Sequence, residues 1–301
     1  VSNGTKFETG LKRGLPFDHY REIDAVSSSR LKVILRSPAH FRAGFQGAET
    51  PAMKTGTDTH AVLCTPEEII RQYAVMPDFA NDEHNVTSKG ERSYSRATSY
   101  VREREEAWRK LHPGKIEIDQ ETLDRLLGLS SALSQCPVLF GLRAGGEGEV
   151  GLTWTDEKTG LHCKGRIDWL SIQKNRVVCL DYKTSRDVAG FEKSIASYRY
   201  DLQMRFYQRG LEASGFANVE PWLCAVETQS PYGHRLAPVD ADLLQQADVE
   251  LDRLLAIVAD CTERDEWPGY LHPEAWQMPA WFKRSPNESI ELNVGGEMLE
   301  V

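Results

Sequence analysis

The sequence predicts an α/β protein, a mixed central β-sheet flanked by helices, on three observations. Residues 147–183 alternate with period two in three segments separated by the short turns at 157–160 and 173–175, the pattern of three consecutive antiparallel strands. Stretches at about 96–111, 119–134 and 240–262 carry helical amphipathic spacing. A helix of about 20 residues starting at Phe191, then one more strand over 220–229, completes an order that lays helices over a sheet.

Taken in order, residues 27–36 read as a Ser-capped helix that stops before Ser37-Pro38. A second helical stretch, about 51–64, carries Thr57, Asp58 and His60. Residues 77–94 are polar and rich in turn formers, a loop long enough to imply function or mobility. The helix at 96–111 is dense in Arg and Glu. The expected organisation is one domain over 1–282, with N-terminal helices at 20–142, a sheet core at 147–240 and a C-terminal helix and cap at 240–282. Residues 283–301 are expected to be a polar tail.

Composition narrows the function classes. The chain has 301 residues, a net charge of -9 and 40% hydrophobic residues, enough to bury a real core. Residues 241–301 hold the whole net charge, and 1–240 sum to zero, so any basic footprint for nucleic acid must be local. No apolar run reaches membrane-spanning length and the first residues lack a signal pattern, so a cytoplasmic protein without a membrane partner is expected. The six cysteines are scattered without a C-x-x-C pair, which disfavours zinc-ribbon and iron–sulfur sites. Walker A and nucleophile-elbow patterns are absent, which disfavours ATP-driven unwinding and serine hydrolysis.

The strand meander supports a register argument. If the first turn centres between Lys158 and Thr159, paired residue numbers sum to 317 and Glu149 faces Asp168. If the second centres between Lys174 and Asn175, the sum is 349 and Asp168 faces Asp181. Three carboxylates would then form one row, and like charges so placed are destabilising without a partner. A divalent cation held by hard oxygen ligands is the simplest reason for such a row. The same arithmetic places Arg166 opposite Lys183, a basic pair beside the acids, suited to metal-assisted phosphoryl chemistry. Val177 and Cys179 share the face of Asp181, whereas Ile167, Trp169, Val178 and Leu180 are expected to point the other way.

Asp168 followed by Asp181-Tyr182-Lys183 resembles the PD-(D/E)XK nuclease signature, and Gln203 to Tyr207 resembles the Q-x-x-x-Y motif of its RecB-like branch. His60 resembles that branch's upstream histidine. Segments 27–41, 55–68, 149–170, 180–185, 267–270 and 278–282 are similar to the RecE-type exonuclease VIII family of phages and prophages, a likeness spanning about 20–282. The resemblance implies a PD-(D/E)XK restriction-endonuclease-like core in which Asp168, Asp181 and the Tyr182 carbonyl ligate Mg2+, with Mn2+ as a substitute. It implies that Lys183 positions and activates water, that His60 and Glu149 complete the metal surroundings, and that Gln203 and Tyr207 hold the active-site strand or contact DNA. It further implies 5′-to-3′ digestion of linear double-stranded DNA, leaving a 3′ strand for a single-strand annealing protein, by a ring-shaped homo-oligomer.

Ser29, at the start of the helix over 27–36, and Arg166 are the expected contacts of a 5′ phosphate, by analogy with the related lambda-type exonucleases. Lys89, Arg92 and Arg96, in or near the long loop, are further candidate phosphate contacts. Rival readings are a defence endonuclease or CRISPR-adaptation-like nuclease of the same fold, and a non-catalytic DNA-end clamp.

Overall fold

The computed structural model describes residues 7–44 and 69–270, with the backbone of 291–294 and 297–300. In chain order come β1 (Gly10–Lys12), α1 (Phe17–Glu22), β2 (Val26–Ser27), α2 (Ser28–Leu31), α3 (Pro38–Arg42), α4 (Ile69–Gln72) and β3 (Tyr73–Val75). They are followed by α5 (Ser99–Leu111), β4 (Ile116–Ile118), α6 (Gln120–Ser134), α7 (Pro137–Arg143), β5 (Glu147–Thr155), β6 (His162–Ile172) and β7 (Val177–Ser185). Then come α8 (Phe191–Tyr198), α9 (Tyr200–Ala213), β8 (Val219–Glu227), β9 (His234–Pro238) and α10 (Ala241–Arg264). The main sheet runs β1-β5-β6-β7-β8-β9, with β2 added beside β6. It is mixed, because β7 and β8 are parallel while β5, β6 and β7 form an antiparallel meander.

Both turns centre where expected. The β5–β6 ladder pairs Val150 with Ile167 and Gly148 with Trp169, and the β6–β7 ladder pairs Trp169 with Leu180. The sheet is buried on both faces. Helix α9 covers one face over Leu152, Trp154, Ile167, Leu170 and Cys179, and α10 packs on the outer side of α9 and extends the same core. Helices α6 and α7 supply Leu129, Leu133, Leu139 and Leu142 to the other, against Val178, Leu180 and Tyr182. Burial on both sides explains why the middle of β5 and β7 reads as a near-continuous apolar run.

Three local expectations need correction, while the loop expected at 77–94 is a loop. The helix from Phe191 is two helices, because Arg199 takes a left-handed conformation (φ 52°) while its guanidinium holds the buried carboxylate of Asp201. The stretch 27–36 makes one α-turn, Ser28–Leu31, capped by Ser27, before tightening into a 3-10 turn over Lys32–Leu35. The 77–94 loop is built around buried Asn85, whose amide donates to the carbonyls of Ala80 and Ser95 and accepts from Thr98. That side chain supplies the partners a backbone ladder would otherwise provide. Finally, the C-terminal tail contains a hairpin, with Glu291–Val294 pairing antiparallel to Glu297–Glu300. Gly295-Gly296 between two short alternating runs is a hairpin signal in the sequence. The unit over 268–301 is separate from that over 1–267, and the helix expected at 51–64 lies outside the described residues.

The buried thiols make the fold sensitive to alkali. Burial pushes Cys163 and Cys224 up to about 12, aided by Asp156 and Cys136 respectively. Burial also drives Cys179 well above its ordinary value, with Asp181 and Asp168 adding to the shift. An unfolded thiol ionises near 8.5, so above that pH the folded state binds more protons and stability falls. Each such thiol costs about 1.4 kcal/mol per pH unit between its unfolded and folded pKa. Lys32, drawn down to about 8 chiefly by burial, opposes this by one proton at most. The melting temperature is therefore expected to hold from pH 7 to about 9 and to drop by pH 11. A calorimetric scan series showing a rise over that interval would contradict this balance.

Candidate active site

The site lies where β6 changes partners. Its second half pairs with β7 as far as Trp169–Leu180, but its first half pairs with β2, Val26 with Cys163 and Ser27 with Lys164. β6 and β7 therefore separate beyond Asp168, and the side chain of Asp168 fills the first gap. Its Oδ2 accepts the backbone N–H of Tyr182 at 2.7 Å, in place of the next ladder bond. Because the N–H and C=O of a strand residue point to the same side, the Tyr182 carbonyl faces that gap too.

Asp181 is 1% exposed. Its Oδ1 accepts from Gln203 Nε2 at 2.7 Å, and its Oδ2 is ion-paired with Lys183 Nζ. Gln203 also donates to the Tyr207 hydroxyl at 3.2 Å. These two residues are one helical turn apart on α9, so a single helix face delivers both. Burial, then the charges of Asp181 and Asp168, holds the Tyr207 hydroxyl well above its ordinary pKa, keeping it protonated. For Lys183, burial favours the neutral amine, but Asp181 and Asp168 outweigh it and raise its pKa. Its ammonium is therefore charged at neutral pH, with the Tyr200 ring 4.8 Å away.

The third carboxylate is placed differently. Glu149 has φ 59°, and its carboxylate is ion-paired with Arg166. Ile167 packs in the same core as Leu170 and Cys179, and Gly165 abuts the Tyr207 ring, so strict alternation along β6 breaks at Asp168. Two expectations fail for this reason: Ile167 does not point away from Cys179, and Arg166 does not pair across from Lys183. Arg166 instead donates to the Leu15 carbonyl and stacks over Phe17 at 5.3 Å. Among the described residues, no three His, Cys, Asp or Glu side chains gather as a metal-binding group; His60 lies outside those residues.

Residues 27–274 match a family described as a PDDEXK-like domain of unknown function (DUF3799). The chain belongs to this family. A crystal structure of a candidate exonuclease from Eubacterium rectale aligns with a TM-score of 0.53 at 13% identity, covering 89% of this chain and 96% of that one. A structure of the protein SSO0001 aligns at a TM-score of 0.26 and 19% identity, over 46% of this chain and 56% of that one. No curated protein matches the sequence. Family and fold together are those of PD-(D/E)XK nucleases, which generally use divalent metal ions.

In this PDDEXK-like chain the donors at the fork suit such an ion. Asp168 and Asp181 are buried carboxylates on either side of one peptide, and the Tyr182 carbonyl faces the same gap, so all three donors are hard oxygens. Asp168, Asp181 and the Tyr182 carbonyl would hold a divalent ion there, which would supply Lewis-acid polarisation of a phosphoryl oxygen and activation of water. The Lys183 ammonium can donate to a phosphoryl oxygen as negative charge develops. Gln203 fixes the Asp181 rotamer, and Tyr207 fixes Gln203.

Sequence reasoning missed Tyr200 and Lys32. Tyr200 was legible, since it lies three residues before Gln203 on the same helix face; Lys32 had no motif to mark it. The hydrogen bonds and ion pairs of the other candidate DNA contacts are made outside the fork. Ser29 is exposed, with its hydroxyl 3.1 Å from that of Ser27. Arg92 donates to the Asn81 carbonyl, Arg96 lies 3.8 Å from Asp78, and Lys89 is exposed in the loop. Among the described residues no helix is long and apolar enough to cross a membrane.

Proposed function

We propose that this chain is a metal-dependent exonuclease that digests linear double-stranded DNA from the 5′ end and leaves a 3′ single strand. The observation that carries the reading is the fork itself: Asp168, Asp181 and Lys183 meet where β6 leaves β7, with Gln203 bonded to Asp181. In the reaction a water oxygen forms a bond to phosphorus and the bond to the 3′ oxygen breaks, releasing a 5′-mononucleotide. Asp168, Asp181 and Tyr182 hold Mg2+, for which Mn2+ can substitute, and Lys183 orients the water and the phosphoryl oxygens. The likeness to the RecE-type family assigns His60 and Glu149 to the metal surroundings, and the sequence offers Ser29, Arg166, Lys89, Arg92 and Arg96 as DNA phosphate contacts.

The direction of digestion, the annealing-protein partner, the ring-shaped homo-oligomer and a cytoplasmic setting, in a cell carrying phage or prophage genes, rest on the likeness to the RecE-type family. Local neutrality over 1–240 beside an acidic C-terminal segment is compatible with DNA held inside a ring.

The test uses three substrates with Mg2+: a linear duplex labelled at the 5′ end, one labelled at the 3′ end, and a covalently closed circle. The 5′ label is expected in mononucleotides at the earliest times, with the circle intact. Early release of the 3′ label would reverse the assigned direction, and cleavage of the circle would replace the exonuclease reading with an endonuclease one.

A further inference from the structure

Two lysines flank one aromatic ring beside the fork. The Tyr200 ring centroid lies 4.8 Å from Lys183 Nζ and 5.7 Å from Lys32 Nζ. Lys183 is committed to Asp181. Lys32 comes from a different element, the 3-10 turn that follows Ser28–Leu31, and reaches the site from the side where β2 replaces β7 as the neighbour of β6. Its one hydrogen bond among the described residues goes to the Tyr198 carbonyl at 2.9 Å, at the helix end that the left-handed Arg199 exposes.

That bond does not explain the residue. An ammonium has three donors; a neutral carbonyl takes one and cancels none of the charge. Among the described residues no carboxylate lies within ion-pair distance of Lys32. Lys32 is half-buried, with Lys183 near enough to repel its charge and Asp181 and Asp201 near enough to attract it without pairing. A second, half-buried cation beside the first is unfavourable in the protein alone. It becomes favourable when an anion enters, and the anion that reaches a phosphodiester-cleaving centre is the backbone of the substrate.

Resting on the nuclease reading above, we propose that Lys32 is a phosphate-binding residue of this site, gripping a backbone phosphate of the DNA strand adjacent to the one that is cut. Lys183 then serves the reacting phosphate and Lys32 its neighbour, with Tyr200 as the rigid spacer between them.

Binding, measured without cleavage, separates this proposal from the reading it rests on. The full chain carrying Asp181→Asn is titrated against a fluorescent blunt duplex by anisotropy from 50 to 200 mM KCl, alone and with Lys32→Met or Lys32→Arg added. Loss of one phosphate contact should weaken binding about three- to tenfold at low salt and make the log affinity–log salt slope shallower by about 0.9. Lys32→Arg should restore the slope. A Lys32→Met protein with a lower melting temperature but the parent's slope would make Lys32 a helix cap only, and equal affinity with equal slope would also overturn the proposal. Failure of the parent to bind duplex at all would instead remove the nuclease reading, and this proposal with it.

Discussion

The Asp181→Asn protein is expected to degrade linear duplex DNA at least about a thousandfold more slowly than the unaltered chain. The substitution keeps the shape of a side chain that is 1% exposed, so packing should survive. What changes is charge. Of the two buried carboxylates at the fork one becomes neutral, and a hard dication bound between them loses half its anionic donors. Gln203 Nε2 can still donate to an amide oxygen, so α9 stays docked. Lys183 loses the stronger of the two charges that hold its pKa up, while burial continues to pull it down. A thousandfold loss corresponds to about 4 kcal/mol of barrier, within what Lewis-acid and electrostatic stabilisation supply at such sites. Single-turnover rates with Mg2+, beside a melting curve for each protein, make the measurement. Equal rates would remove Asp181 from the chemistry, and two equally inactive proteins would leave a DNA-end clamp as the better description.

The parts of the site that were legible in the sequence are those fixed by short-range arithmetic. Turn centres set strand register, and both ladders have the expected sums, but the expected row of Glu149, Asp168 and Asp181 does not form: the first ladder skips Glu149 and Asp168, and the second ends at Trp169–Leu180. Helical spacing set Gln203 and Tyr207 on one face. Illegible were the features in which strands stop obeying the ladder. The change of partner along β6 depends on β2, a two-residue strand more than 130 residues away in sequence, too short to leave a periodic signal. That change breaks alternation at Asp168 and sends Arg166 to Glu149 and the segment around Leu15 rather than to Lys183. Lys32 was hidden for a related reason: a break at Arg199 presents the Tyr198 carbonyl, and no propensity marks an arginine for a left-handed conformation.

Gly165→Ala should damage catalysis more than stability, and it tests whether α9 positions the site. Gly165 lies within β6, paired with Leu152, where a glycine interrupts an otherwise buried strand. A Cβ there would lie 2.9 Å from both Cδ1 and Cε1 of Tyr207. The ring cannot easily yield, because it is itself buried and its hydroxyl is bonded to Gln203. The helix must therefore back away from the strand, carrying Gln203 from Asp181. Overpacking of this kind costs about 1–3 kcal/mol, while a misplacement of about 1 Å at a reacting centre can cost about a hundredfold in rate. Gly210→Ala is the control on the same helix. Its Cβ would press on Trp154 and Leu152, at 2.6 and 2.7 Å, far along α9 from Gln203. That protein should melt earlier yet retain most of its rate per folded molecule, whereas Gly165→Ala should lose about 10- to 100-fold in turnover with little change in KM. A Gly165→Ala enzyme at full rate, or the same loss of turnover in both, would show that the Tyr207–Gln203–Asp181 chain does not set the geometry of the reacting groups.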